Sequence, residues 1–438
     1  MFEYVASGLT INRHRILNDP KALEWHKQMT SDTQCFSFLY NGFQEKANGE
    51  LFKELYDAGF LFNVHADSGG LQMITRNLEP NAKLRQEVYE NQAKYATVAM
   101  SFDEIPLKIV SDSKTTAISN LNCRYFDMEN LVTKAKKSGQ NIKEQVEFFN
   151  KVNTKCKPLM ILQGNCLETY KIWTEEIMSV FGEENLQYID GLALAPTSIG
   201  MGLYEDCVRA IALKTNPYNK NKVHLLGIGS ITRMLPFVLM NKYNWFGENY
   251  HISYDSTSHT RGLWGSCDYS MRNNITLRCG TKCSLYEQNR KKVYEDMSKH
   301  FDLDFTFDMF NTWCDSEIGV AKWKELTEDK IPEFFSKICT AFLLSSVKNF
   351  MLDLDAFIEN DWIINNKDSV ILPYNNKGSS ENKNDILKKA ENLHNTIKIL
   401  NTMKEVKTHE DGKKWLGHYQ DKLQSKSVPK TPKTTVQL

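Results

Sequence analysis

Seven short apolar runs, each closing on small or polar residues, recur along the first 255 of the 438 residues. They are Cys35–Tyr40, Phe60–His65, Thr97–Phe102, Pro158–Leu162, Ile189–Ala195, Val223–Ile228 and Tyr250–Tyr254. Each has the length and composition of a buried strand. Stretches with helical spacing lie between them, at Ala82–Tyr95, Ile142–Val152, Leu167–Val180, Leu203–Leu213 and Ile231–Tyr243. Strands that alternate with helices pair in parallel, since the crossover between parallel strands is long enough to hold a helix. Seven such units favour an α/β fold of the (β/α)8 TIM-barrel type over an open doubly wound sheet. Two segments could supply the eighth strand, the N-terminal Phe2–Val5 and one near Ile275.

The remaining chain divides by composition. Residues 1–302 hold the strand–helix repeats and form the expected barrel domain. Lys108–Gln140 is a long insertion after the third run, polar at first and then helical, and it is either a binding element or a surface excursion. Residues 303–374 are helical, and the strongly apolar Ile331–Phe357 is expected to pack on the barrel. Asn375–Asn384 is a linker by composition. Residues 385–425 form a C-terminal helical extension, in which Asp385–Val406 reads as one amphipathic helix with Ile386, Ala390, Leu393, Ile397, Leu400 and Met403 on its apolar stripe. Residues 426–438 are a basic tail of disordered composition.

Formal net charge is zero, so bulk charge announces no nucleic-acid partner, and any basic surface must be confined to one face. No apolar run reaches membrane-spanning length, and the N-terminus lacks a basic-then-apolar leader, which gives the expectation of a cytoplasmic protein with no membrane partner. The ten cysteines are scattered, which fits reduced core residues better than a disulfide framework. Cys279, Cys283 and His300 are the one cluster that resembles metal spacing. Without a second close pair it is a weak zinc signature, so no metal site is assigned and no cofactor is required for the chemistry below.

That chemistry comes from the strand ends. In a barrel, catalytic groups sit at the C-terminal ends of the strands. Those ends carry Asp67, Asp103, Gln163 and Asp255. Each alone could be a loop residue bonding locally; Asp67-Ser68-Gly69-Gly70 in particular could be a plain turn that caps a helix. Three carboxylates around one mouth are harder to explain as caps, because like charges in one site are costly unless used. Paired carboxylates suit chemistry at an anomeric carbon, where one attacks C1′ and the other moves protons. A third carboxylate beside an amide suits a guanine-like edge, accepting from N1–H and the exocyclic amine while the amide meets O6.

With these residues in place, the chain resembles the queuine/archaeosine tRNA-guanine transglycosylases. Asp67–Gln72 (DSGGLQ) is similar to the family's D-S-G-G-F-Q, with Leu71 where the family has an aromatic. Ser101–Glu104 (SFDE) is similar to A-F-D-E, Leu162-Gln163-Gly164 to V-Q-G and Ile189-Asp190-Gly191 to F-D-G. Leu225–Gly229 (LLGIG) is similar to L-M-G-V-G, and Asp255–Arg261 (DSTSHTR) to D-C-V-L-P-T-R. The six motifs follow the family's order over about Gly59–Gly262. The resemblance implies that Asp255 is the nucleophile and Asp67 the general acid/base. It implies that Ser68, Gly69, Gly70, Asp103, Gln163, Gly164, Leu226 and Gly227 line the base site, and that Thr260 and Arg261 meet nucleic acid. The implied reaction exchanges guanine in a polynucleotide for a 7-deazaguanine base.

The departures narrow the resemblance. The family's G-G-L-A-V-G is here Leu194-Ala195-Pro196-Thr197-Ser198-Ile199-Gly200, which puts its backbone donor to O6 in question. Thr260-Arg261 continues as Gly262-Leu263-Trp264-Gly265 and lacks the second Arg-Asn-Gly that reads the tRNA anticodon loop; the family's zinc set is also missing. The losses fall on tRNA reading, while the chemical residues remain. That pattern resembles the DNA-modifying branch of the family, found in phages and bacterial islands, whose members insert a 7-deazaguanine such as the 7-cyano form. Arg272, Arg278, Lys282, Arg290 and Lys291 could form a phosphate-binding flank or an ordinary solvated face. The expected partners are DNA and a 7-deazaguanine base. A tRNA substrate is the second reading and a non-catalytic nucleic-acid-binding barrel the third, and a homodimer stays open.

Overall fold

The computed structural model describes residues 1–7, 19–32, 34–43, 45–75, 78, 80–109, 124–196, 202–218, 220–245, 250–256, 269–272, 275–277, 285–315, 333–359 and 383–424. Eight strands form the barrel wall: β1 (Phe2–Ser7), β2 (Gln34–Asn41), β3 (Val64–Asp67), β4 (Val98–Met100), β5 (Lys157–Gly164), β6 (Gly191–Pro196), β7 (Lys222–Leu225) and β8 (His251–Ser256). All neighbours pair in parallel, and β8 closes the ring on β1 with Val5 opposite Asp255. The fold is therefore a (β/α)8 TIM-type barrel, and the N-terminal segment is its missing strand. Ile275–Leu277 instead pairs antiparallel with Tyr269–Met271 outside the barrel.

Helices follow the strands in turn: α1 (Pro20–Lys27), α2 (Lys46–Asp57), α3 (Ala82–Tyr95), α4 (Leu131–Lys151), α5 (Leu167–Phe181), α6 (Leu203–Lys214) and α7 (Ile231–Lys242). After β8 come α8 (Glu287–His300), α9 (Phe307–Asp315) and α10 (Glu333–Glu359). It is α10 that fills the eighth helical position. It packs against both α7 and α1, and its Phe350 ring lies edge-on to Tyr4 of β1 and Tyr254 of β8 at 5.9 and 6.1 Å. The apolar helix α10 is thus part of the barrel's outer layer.

Three sequence boundaries shift. The Phe60–His65 run is only partly strand. Gly59 adopts φ +81, and the Phe60 N–H bonds Leu55 O at 2.9 Å, so these residues close α2. The helical part of the insertion and Ile142–Val152 merge into the single helix α4, preceded by a hairpin of Leu107–Ile109 with Arg124–Phe126. The C-terminal extension is two helices, α11 (Lys383–Asn401) and α12 (His409–Leu423), divided by a 3-10 turn at Thr402–Glu405. Gly412 lets α12 lie close on the barrel, since a Cβ there would sit 2.5 Å from Ile211 of α6 and 2.9 Å from Leu167 of α5. Residues 360–382, most of the linker segment, and the tail lie outside the described residues. Among the described residues, no helix is long and apolar enough to cross a membrane.

The barrel interior has two sectors. Strands β4, β5 and β6 contribute Val98, Met100, Leu159, Ile161, Ala193 and Ala195, an apolar cluster separate from the outer core. The opposite sector is polar and fully buried, with Glu3, Ser37, His65, His224 and Ser253. Glu3 accepts there from Ser37 Oγ at 2.5 Å and Asn63 Nδ2 at 3.1 Å, and lies 2.8 Å from His65 Nε2 and 2.6 Å from His251 Nε2. Burial acts against the Glu3 carboxylate, but the two histidines outweigh it and hold the group well below its usual range.

Candidate active site

Side chains alternate along a strand, so an inward residue recurs every second position. On β8 this places Ser253 and Asp255 in the barrel, and on β3 it places His65 and Asp67. Asp255 and Asp67 are the inward residues nearest the C-terminal end of each strand and meet across the same mouth. The charge of Asp255 reaches Asp67: burial first, and then that neighbouring carboxylate, push Asp67 up to about 6, while the N–H groups of Ser68 and Gly69 pull the other way. The Ser68 N–H bond to Asp67 Oδ1 is 2.8 Å.

The turn that presents Asp67 depends on Gly69. Its φ is +79, and a Cβ there would come within 2.6 Å of both Asn41 Oδ1 and Phe43 Cβ. Gly70 is unlike it: an added Cβ would meet nothing nearer than 3.4 Å. Of the two glycines, only the first is demanded by the protein itself. Gly69→Ala is expected to cost about 1–3 kcal/mol in a denaturant titration and to displace Asp67. Unchanged stability would refute the left-handed turn. Ser68 also acts as a cap, with its Oγ accepting from Gly70 N–H at 3.3 Å at the start of the short helix Gly70–Thr75.

Asp103 lies three residues past β4 and is 3% exposed. Helices hold this loop from behind. The Glu104 N–H bonds Ser138 Oγ of α4 at 2.8 Å, and the β4 carbonyl of Met100 accepts from Gln92 of α3 at 3.0 Å. In the site, Gln163 Nε2 donates to Asp103 Oδ2 at 2.5 Å and Ser68 Oγ lies 3.4 Å from Oδ1. Burial pushes Asp103 up to about 7; the Gln163 bond opposes this and the Asp67 charge adds to it. Gln163 and Gly164 end β5, where Gly164 packs its bare Cα face on the Tyr170 ring.

Asp255 is held from the β7 side. The Gly227 N–H, in a turn with φ +71, donates to Asp255 Oδ1 at 2.8 Å. The Gly227 carbonyl in turn accepts from Arg233 Nη1 at 2.9 Å, and Arg233 Nε bonds Asp206 Oδ2 at 2.6 Å. Arg209, 1% exposed, bonds the carbonyls of Leu194 and Leu226 and pairs with the same Asp206. The ends of β6 and β7 are therefore fixed by one Asp–Arg–Arg cluster around the buried Asp206 and Arg209, which motif reading did not single out.

The structure brings together Asp67, Ser68, Gly69, Gly70, Asp103, Gln163, Gly164, Leu226, Gly227 and Asp255 at one end of the barrel. Thr260 and Arg261 lie outside the described residues, as do Thr197–Gly200, so neither the nucleic-acid contacts nor the expected O6 donor has a described geometry. Arg272 is an exposed side chain ion-paired with Asp353 of α10 at 3.0 Å. Arg290 is buried and bonds Asn311 and Asp315. The basic flank thus loses Arg290 to an internal role and shares Arg272 with an acid. Cys279 and Cys283 are also outside the described residues, and His300 Nε2 faces Asn349 Oδ1 at 2.9 Å. No known family model matches the chain, and a search of curated proteins finds no match either.

Proposed function

We propose that the chain is a base-exchange transglycosylase that replaces guanine in DNA with a 7-deazaguanine through a covalent Asp255–C1′ intermediate. One observation carries the reading: two carboxylates, Asp255 and Asp67, end barrel strands at the same mouth, with a buried carboxylate–amide pair beside them. Asp255 attacks C1′ as the bond to guanine N9 breaks, and Asp67, shifted towards neutral pH, hands the departing base its proton. The incoming base loses its N9 proton to Asp67, bonds C1′ and releases Asp255. Asp103 accepts from the base's N1–H and amine. Gln163 has two amide N–H groups, so one can stay on Asp103 while the other meets O6.

A duplex substrate requires the target nucleotide to swing out of the stack, at a cost of a few kcal/mol. The preference for DNA over tRNA rests on the missing Arg-Asn-Gly after Arg261. Incubation with labelled 7-cyano-7-deazaguanine and either DNA or tRNA tests it. Label in DNA is the expected result, and label in tRNA alone would replace DNA as the substrate.

A further inference from the structure

The histidine beneath Asp255 has no role in the chemistry above, and its surroundings define one. His224, on β7, is fully buried. Its Nδ1 lies 2.9 Å from Ser253 Oγ, and Ser253 Oγ also lies 3.3 Å from Val223 O. The Ser253 hydroxyl can donate to Nδ1 as well as accept from it, so the tautomer of the ring is set by what Nε2 meets. The other ring nitrogen, Nε2, lies 3.4 Å from Asp255 Oδ1 and is buried without a hydrogen-bond partner among the described residues. A bare lone pair facing a carboxylate is unfavourable, and a proton on Nε2 turns the same approach into a charge-assisted bond. Oδ1 thus accepts from the Gly227 N–H and is approached by His224 Nε2, and no described group bonds Oδ2.

We propose that His224 is a positioning residue for Asp255: with the Gly227 N–H it holds Oδ1, so that Oδ2 is the oxygen that bonds C1′. The inference rests on the transglycosylase reading. In the first half-reaction the Oδ2–C1′ bond forms while C1′–N9 breaks, the electron pair leaves with guanine, and Asp67 supplies the proton. In the second half the N9 pair of the incoming base bonds C1′, C1′–Oδ2 breaks, and the pair returns to the carboxylate. Donors on Oδ1 stabilise the free carboxylate relative to the ester, so they favour release. Losing one should slow exchange and at the same time leave more protein trapped as adduct. Damage to the scaffold would lower both.

The test uses labelled guanine, guanine-containing DNA or tRNA, and the full chain with His224→Phe or His224→Gln. Exchange of label and the fraction of protein held as covalent adduct on a denaturing gel are read together. The expected result for His224→Phe is exchange about 10–100-fold slower with a larger trapped fraction. His224→Gln, which can again offer an N–H to Oδ1, should recover most of the rate. Equal losses of exchange and adduct, no change in either, or no recovery in His224→Gln would overturn the positioning role. Absence of exchange and adduct in the unmodified protein would sink the transglycosylase reading instead. The His224–Asp255 contact is then decided by 15N NMR of labelled histidine, where a proton on Nε2 that is lost or shifted in Asp255→Ala supports it and an unprotonated Nε2 refutes it.

Discussion

Asp255→Asn is expected to abolish base exchange and the covalent adduct together, by about 10⁴-fold or more, as removal of a covalent nucleophile does in other enzymes. The substitution is nearly isosteric. Its amide oxygen can still accept from Gly227 N–H at the 2.8 Å seen for Oδ1, so the β8 end and the fold should survive. What it removes is the negative oxygen that attacks C1′ in the proposed mechanism. A carboxamide is too poor a nucleophile to replace it, and Asp67 cannot substitute from across the mouth because the general acid must stay on the base side. The measurement is exchange of labelled guanine, paired with a denaturing gel for adduct and a binding titration with the same DNA. Loss of exchange and adduct with binding retained is the expected pattern. Retained exchange would remove Asp255 from the mechanism, and unchanged binding with no turnover in either form would favour a barrel that only binds nucleic acid.

Asp67, Gln163 and Asp255 could be located from sequence because each ends an apolar run, and strand ends in a barrel are where functional side chains converge. Strand limits were less legible. Gly59 and Phe60 are apolar like a strand but belong to the end of α2, where a left-handed glycine and a 2.9 Å backbone bond to Leu55 fix them. The polar half of the interior was missed. His224 is a single polar residue inside an otherwise apolar run and His65 ends one, which reads as noise until the alternation is counted back from Asp67 and Asp255 and the runs are closed into a barrel. Glu3 was hidden for the same reason, because its partners come from β2, β3 and β8. Basic residues after Arg261 misled in the opposite direction. Nearness in sequence made Arg290 look like part of a DNA-facing flank, yet its partners Asn311 and Asp315 lie in α9. The eighth helix, α10, could be expected on the barrel from its apolar composition, but more than seventy residues separate it from β8, which hid its place in the strand–helix repeat.

Asp103→Asn is expected to make the protein more stable at alkaline pH and worse at holding its base. Burial raises the Asp103 carboxyl from the ordinary 3.8 to about 7. A folded-state value above the unfolded one means that the native protein binds this proton more tightly between those limits. The stability it contributes is present in full below about pH 4 and is lost as pH rises through about 7. The rise corresponds to at most about 4 kcal/mol, and at 3% exposure little of it is screened by solvent. Asp67, raised to about 6, has the same sign with a smaller weight because it is partly exposed. Glu3 has the opposite sign, since its histidine partners hold it low and that contribution disappears on acidification. The wild-type curve therefore mixes opposing slopes, and the difference between wild type and Asp103→Asn isolates one group. Denaturant titrations at about pH 4.5, 6 and 8 should show the variant within about 1 kcal/mol of wild type at the lowest pH and about 2–4 kcal/mol more stable at the highest. Parallel curves would show that Asp103 is not the buried acid described here. The same replacement should raise the KM for guanine about 10–100-fold, since an amide N–H would face the N1–H and amine of the base where a charged acceptor stood. A carboxylate kept at a cost in folding stability, beside an amide and at one mouth with two further acids, is the kind of arrangement that the proposed base-binding role would require.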